Sequence, residues 1–208
     1  MEHTAMAKAA LAPIPKPDLR LIRGRDDFAS VPLPEQVRNY PELRYMGSKN
    51  RLLPWIHGVL RTLKFETAAD PFVGSGCVSY LLKAMGKRVI ASDFLNFPTV
   101  LASATIANNN LHLDGPAVKR LLTPSPKPGF IEKTFSGIFF SREDLRFLDQ
   151  VSVNMEKIEH PNQRALARAA LIRSCLKKQP RGVFTTSGNL SHYDDGRRDL
   201  RLSIEEHF

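Results

Sequence analysis

Apolar residues recur at helical spacing from Arg51 to Phe65, where Leu52, Leu53, Ile56, Val59, Leu60 and Leu63 mark one face. Pro54 falls in the first turn of that helix, where a missing N–H is tolerated. Thr67-Ala68-Ala69 then predicts a short buried strand. Cys77-Val78-Ser79-Tyr80-Leu81-Leu82 opens a second helical pattern, which Gly86 stops. The β-branched run Arg88-Val89-Ile90-Ala91-Ser92 predicts another strand, with Asp93 at its tip, and a further helix is predicted from Thr99 to Asn109. Pro124, Pro126, Pro128 and Gly129 predict a loop. Ser141 predicts a helix cap, with Asp144 placed to complete a capping-box-like start, and a basic helix is expected from Gln163 to Lys177. Residues 1–40 carry Pro13, Pro15, Pro17, Pro32 and Pro34 with little periodicity, and read as a flexible tail or wrapping arm.

Strand, helix, strand, helix order argues for an α/β fold with a parallel sheet and helices packed on its faces. In such sheets ligands bind beyond the carboxyl ends of the strands. Two features fall on that edge. Asp70-Pro71-Phe72-Val73-Gly74-Ser75-Gly76 joins the first strand to its helix, and Gly74 and Gly76 permit positive φ and close approach of a ligand. Taken alone it is equally a tight β–α turn. Asp93 alone is equally a helix N-cap. Their separation of roughly twenty residues, however, matches the spacing between glycine loop and ribose-binding acid in nucleoside-cofactor folds.

The turn also discriminates among cofactors. A dinucleotide fingerprint would carry a third glycine where Ser79 stands, and no P-loop signature is present. An acid at Asp70, next to the loop, suits a cationic ligand, and S-adenosylmethionine carries a sulfonium and an amino group. Upstream, Arg44-Tyr45-Met46-Gly47-Ser48-Lys49 adds an aromatic ring, a glycine and an amine able to meet a carboxylate. By itself it could serve as an ordinary turn before the next helix.

Composition narrows the setting. The 208 residues suffice for a domain with a sizeable core, and their net charge of +9 suits a polyanionic partner. Arg164, Arg168, Arg173, Lys177, Lys178 and Arg181 follow one another with no acid between them, a run that a solvated helix face also explains. Cys77 and Cys175 are the only cysteines and the six histidines show no ligand spacing, so no metal site is expected. No apolar run approaches a membrane span, no secretory h-region is visible, and a cytoplasmic setting is expected.

Tyr45-Met46-Gly47-Ser48-Lys49, Asp70 to Gly76 and Ser92-Asp93-Phe94 stand in the order and spacing of a known family. In this the chain resembles the D12 class of adenine-specific N6 DNA methyltransferases, in which the motif for the cofactor carboxylate precedes the glycine motif. The resemblance runs from Leu43 to Phe208. Phe184 and the stretch from Ser191 to Arg198 are similar to a segment such enzymes carry before their catalytic motif. It implies a Rossmann-like S-adenosylmethionine-dependent methyltransferase sheet with helices on both faces and a mainly helical insertion. Residues 1–40 would be the arm, 41–135 the cofactor-binding α/β domain and 136–208 a helical, basic DNA-recognition region.

By the same resemblance Tyr45, Met46, Gly47, Lys49, Asp70, Phe72, Gly74, Ser75, Gly76 and Asp93 would hold S-adenosylmethionine, with Lys49 at its carboxylate end and Asp93 on its ribose. Arg173, Lys177, Lys178, Arg181, Arg197 and Arg198 would contact double-stranded DNA. The family's catalytic Asp/Asn-Pro-Pro-Tyr/Phe loop, which grips a flipped adenine, has no counterpart here. The nearest approach, Asn96-Phe97-Pro98, comes too early and lacks the second proline. Ser203-Ile204-Glu205-Glu206 reads as a helix start with only two residues after it. The expectation is therefore the amino-terminal part of an adenine-N6 methyltransferase, incomplete and inactive alone, with no assignable catalytic residue and room for a complementing C-terminal polypeptide. The alternatives are a non-catalytic cofactor- or DNA-binding remnant that completes a partner subunit and, more distantly, a nucleotide-binding oxidoreductase.

Overall fold

A computed structural model describes residues 31–124, 129–179 and 196–208. Strands β1 (Thr67–Asp70) and β2 (Arg88–Ala91) lie parallel, Thr67 opposite Arg88 and Asp70 opposite Ala91. They are the two strands present among the described residues. One face of the pair is covered. Val89 and Ala91 pack against Val73, Ala102 and Ile106. The residues between, including Thr67 and Ile90, face outward. The expected doubly covered Rossmann sheet thus reduces, among the described residues, to a helix-rich α/β unit with a small parallel sheet.

The connection between the strands is helix α2 (Cys77–Ala84), preceded in the chain by α1 (Leu53–Leu60). Their apolar stripes meet: Leu53 and Leu81 are buried together with Cys77 and Val37. Gly86 stops α2 as expected. It adopts φ +74°, and the N–H groups of Gly86 and Lys87 return to the carbonyls of Lys83 and Leu82 at 2.9 and 3.0 Å. Of the arm expected over 1–40, the described residues 31–40 include a 3₁₀ turn, Glu35–Asn39, whose Val37 joins this core.

Helix α3 (Asn96–Ala102) starts earlier than the sequence predicts and widens into a π turn over Ser103–Ala107. Hydroxyls compete for its carbonyls there. Ser103 Oγ donates to Thr99 O at 2.9 Å and Thr105 Oγ1 to Leu101 O at 2.7 Å. The Lys83 ammonium, held below the usual lysine pKa by burial, donates to Thr105 O at 2.7 Å and also to Asn108 O.

The remaining elements are helical: α4 (Gly115–Leu121), α5 (Phe130–Phe135), α6 (Arg142–Met155), α7 (Pro161–Lys177), α8 (Arg198–Arg201) and α9 (Ile204–His207). Their common core includes Leu121, Leu145, Val151, Met155, Leu171 and Ile204, so it draws on residues before 136 as well as after. The Asp149 carboxylate caps α5 from α6, accepting the N–H groups of Gly129, Ile131 and Glu132 at 3.1, 2.9 and 2.8 Å. Among the described residues, no helix is long and apolar enough to cross a membrane, and no cluster of side chains could hold a metal ion.

Two expected caps behave differently. Ser203 and Glu206 form a complete capping box at 2.7 and 3.1 Å. The four-residue α9 that follows is held by tertiary contacts: Ile204 is fully buried, and the Phe208 ring packs 5.8 Å from that of Phe147. Ser141 does accept the Asp144 N–H at 3.1 Å. The Asp144 side chain answers the cap, accepting from Ser141 Oγ at 2.9 Å, and also reaches into the core. It is 1% exposed, accepts the Ile204 N–H at 2.8 Å, and pairs with the Lys178 ammonium at 2.9 Å. Lys178, which the resemblance would place on DNA, has its ammonium in this ion pair, with its side chain 12% exposed. Replacing one partner of a buried pair strands the other. Lys178→Met should therefore lower the unfolding free energy by roughly 3–5 kcal/mol in urea denaturation, and Asp144→Asn in the same chain should recover part of the loss. An unshifted midpoint in the single variant would contradict this role.

Candidate cofactor site

Parallel pairing of neighbouring strands places the ends of β1 and β2 side by side, and the backbone continues the register past both. Ser92 N–H donates to Asp70 O at 2.9 Å and Val73 N–H to Ser92 O at 3.2 Å. The glycine turn is thereby laid against the tip of β2. Gly74 (φ +51°) and Gly76 (φ +81°) both take left-handed conformations that a Cβ would strain. The Gly74 N–H donates to Asp93 Oδ2 and the Leu95 N–H to Asp93 Oδ1, each at 2.9 Å. The Gly74 N–H, then that of Leu95, hold the Asp93 carboxyl below the usual aspartate pKa, against a smaller opposing effect of burial. The Phe94 N–H adds a lesser effect in the same direction, and a carboxylate's roughly four lone-pair sites still leave room for a donor from outside.

Asp70 is committed locally. Its Oδ2 accepts from the buried Ser79 hydroxyl at 2.6 Å and its Oδ1 from the Phe72 N–H at 3.2 Å. Ser79, which occupies the place of a third glycine, therefore fixes the acid at the start of the loop. Phe72 projects outward, 83% exposed.

The turn at Tyr45–Ser48, closed by Ser48 N–H to Tyr45 O at 3.1 Å, meets the glycine loop from the other side. Ser48 Oγ lies 3.1 Å from Ser75 Oγ. The Tyr45 ring stands 5.7 Å from that of Phe97 and closes over Gly74, where a Cβ would meet Tyr45 Cε1 at 3.2 Å. Gly47 (φ +83°) faces open space. Met46 is exposed, and the exposed Lys49 ammonium donates to Gly47 O at 3.0 Å. Tyr45, Gly47, Lys49, Gly74, Ser75, Gly76 and Asp93 are thus gathered at one end of the sheet by direct contacts between two loops and a strand tip.

Tyr40 escaped the sequence reading, and Phe94 entered it only as part of a motif, with no role of its own. The Tyr40 hydroxyl donates to Ser75 O, and its ring packs 4.8 Å from that of Tyr80. Burial, then the neighbouring Cys77 and Tyr80, raises its pKa, so it stays a protonated donor. The helical spacing of Val37 and Tyr40 was the available signal, obscured by the surrounding prolines. Phe94, next to Asp93, is 97% exposed; a large apolar ring left in water beside an acid at a strand tip is the signal that marks it.

The basic residues separate. Arg164 and Arg168 pair with Glu156 at 3.7 and 3.1 Å, and Lys178 with Asp144. Arg173, Lys177 and Arg197 line a cleft beside the Tyr45 turn. Arg198 is exposed at the start of α8. Arg181, together with Phe184 and 191–195, lies outside the described residues.

This order of motifs, with a turn, a glycine loop and an acid converging on one sheet edge, has counterparts among known proteins. The family of D12 class N6 adenine-specific DNA methyltransferases matches residues 45–181, and the chain belongs to that family. A relative, the type II methyltransferase M2.HphI of Haemophilus parahaemolyticus, is 36% identical over 148 residues, covering 71% of this chain. The chain spans 44% of that relative's length. No solved structure matches the chain.

Tyr40 and Gly76 couple in a way that mutation can read. A Cβ at Gly76 would come within 2.6 Å of the Tyr40 hydroxyl oxygen. Gly76→Ala should cost about 1–2 kcal/mol from its left-handed backbone alone, and more from this crowding. Tyr40→Phe should destabilise the parent chain by about 1 kcal/mol yet relieve the Gly76→Ala variant. Thermal denaturation of the four proteins checks this, and strictly additive changes would contradict the packing described.

Proposed function

We propose that this chain carries the S-adenosylmethionine site of a DNA adenine-N6 methyltransferase and presents a basic surface to double-stranded DNA. The observation that supports this reading most directly is the hydrogen bond from Gly74 N–H to the Asp93 carboxylate, which unites the loop and the acid of a nucleoside-cofactor site. The residues suit the cofactor. Gly47 leaves the backbone bare and open to a ligand, the Tyr45 ring lies over Gly74, and Asp93 stays ionised to accept ribose hydroxyls. Phe94 and Phe72 offer exposed ring faces for a nucleobase, and Lys49 offers a cation for the carboxylate. The bound cofactor would supply an electrophilic methyl group.

Methyl transfer to an exocyclic amine needs attack in line with the departing sulfur, so the protein's task is to position both partners and exclude water. The residues at hand serve the cofactor side of that task. No Asp-Pro-Pro-Tyr/Phe sequence occurs within the chain. We therefore assign cofactor capture to this polypeptide and expect no methyl transfer from it alone. A second reading, a non-catalytic remnant that completes a partner polypeptide, draws support from the outward face of the sheet, where Ile90 is 59% exposed.

Calorimetric titration of the purified chain with S-adenosylmethionine tests the proposal. Saturable binding is expected, weakened at least tenfold in Asp93→Ala, with circular dichroism establishing that the variant is folded. A folded parent chain that ignores the cofactor would overturn the assignment, and preference for a nicotinamide dinucleotide would replace it with the oxidoreductase reading. Robust adenine methylation by the isolated chain would overturn the expected inactivity.

A further inference from the structure

A cleft of about 800 Å³ opens beside the Tyr45–Ser48 turn, and five cations line it: Arg44, Arg51, Arg173, Lys177 and Arg197. Glu42 and Asp199 are its acids, which leaves three positive charges in excess. The acids do not serve the unpaired cations. Asp199 holds Arg44 at 2.7 Å, and Glu42 accepts from the Asn50 amide at 3.4 Å. Arg51, Arg173 and Lys177 form no ion pair among the described residues. The Nε of Arg173 is buried with no hydrogen-bond partner. Gathering like charges without counter-ions is unfavourable, and an unpartnered buried donor adds to the cost. An anion in the cleft relieves the first of these.

The structure thereby divides the basic run that charge alone left uniform. Arg164, Arg168 and Lys178 are spent on Glu156 and Asp144, whereas Arg173 and Lys177 turn into the cleft and meet Arg51 from another part of the chain. We propose that this cleft seats a phosphate of the DNA backbone, held by Arg51, Arg173 and Lys177 against the Tyr45–Ser48 turn. The proposal rests on the DNA reading given above and adds to it both the place and Arg51. A phosphodiester suits two guanidinium forks and an ammonium. The cofactor's single carboxylate would not need three cations, and Lys49, the residue expected to meet it, is not part of the cleft wall. Because the turn is shared, a phosphate seated here lies next to the proposed cofactor site.

Binding of a short fluorescein-labelled duplex by the full chain, followed by anisotropy across a potassium chloride series, tests this. Arg51→Gln and Lys177→Gln should each weaken binding and make the plot of log affinity against log salt shallower by about 1. Arg168→Gln should leave the slope at its parent value. S-adenosylmethionine affinity, measured by calorimetry, should stay unchanged in all three. Because Arg173 Nε is buried, Arg173→Lys serves as its variant, with thermal melting as the check on folding. Parent slopes in both Arg51→Gln and Lys177→Gln would overturn the site while leaving DNA binding intact. Unchanged slopes with reduced cofactor affinity would assign the cleft to the cofactor carboxylate instead. A parent chain without salt-sensitive DNA affinity would overturn this site and the DNA reading together, with the cofactor reading judged separately by its own titration.

Discussion

The Asp93 carboxylate is the constraint on which the rest of the site depends. It closes the gap between two strand tips by accepting the Gly74 N–H from one and the Leu95 N–H from the other. Both bonds favour its ionised form. The same charge that fixes the loop is therefore available to an external donor, so the loop's shape and its chemistry are one property. The left-handed glycines follow from this. With the Gly74 N–H aimed at Asp93, the chain must turn sharply before α2, and Tyr45 and Tyr40 close over the turn where a Cβ would stand.

The second organising contact lies outside the loop. Arg44 donates to the carbonyls of Lys177 and Gln179 at 2.6 and 3.3 Å while pairing with Asp199. A cation at the carboxyl end of α7 is favoured by the exposed carbonyls there. Leu43, beside it, is buried with Leu101 and Leu176. The segment before the Tyr45 turn is consequently pinned to the helical region, while Ser48 joins the turn to Ser75. One short strap thus touches the glycine loop on one side and the basic cleft on the other, so the two proposed sites adjoin.

How much of this could be read from the residues depended on how local the cause was. The β1–loop–α2–β2 order, the stop at Gly86 and the caps at Ser141 and Ser203 come from adjacent residues and were legible. The convergence of Gly74 with Asp93 was legible through spacing, because parallel strands joined by one helix leave little choice of geometry. The contact of Asp144 with the Ser141 hydroxyl is local and was legible. Its other partners, Lys178 and Ile204, are remote in sequence, and only the packing of α6 against α7 and α9 brings them to it. The basic run failed to sort itself for the same reason, since what neutralises Arg168 or Lys178 lies on another helix. Tyr40 was hidden by the prolines around it, although its hydroxyl is part of the glycine loop's support.

The cradle between the Tyr45 turn, the glycine loop and Asp93 is the proposed seat of the cofactor. Amide hydrogen exchange followed by mass spectrometry, with and without S-adenosylmethionine, tests it most directly. Slowed exchange is expected, confined to segments spanning 45–49, 70–76 and 93–95, with the helical core around 142–155 unchanged. Protection that bypasses the glycine loop and Asp93, or appears only among the helices, would contradict it.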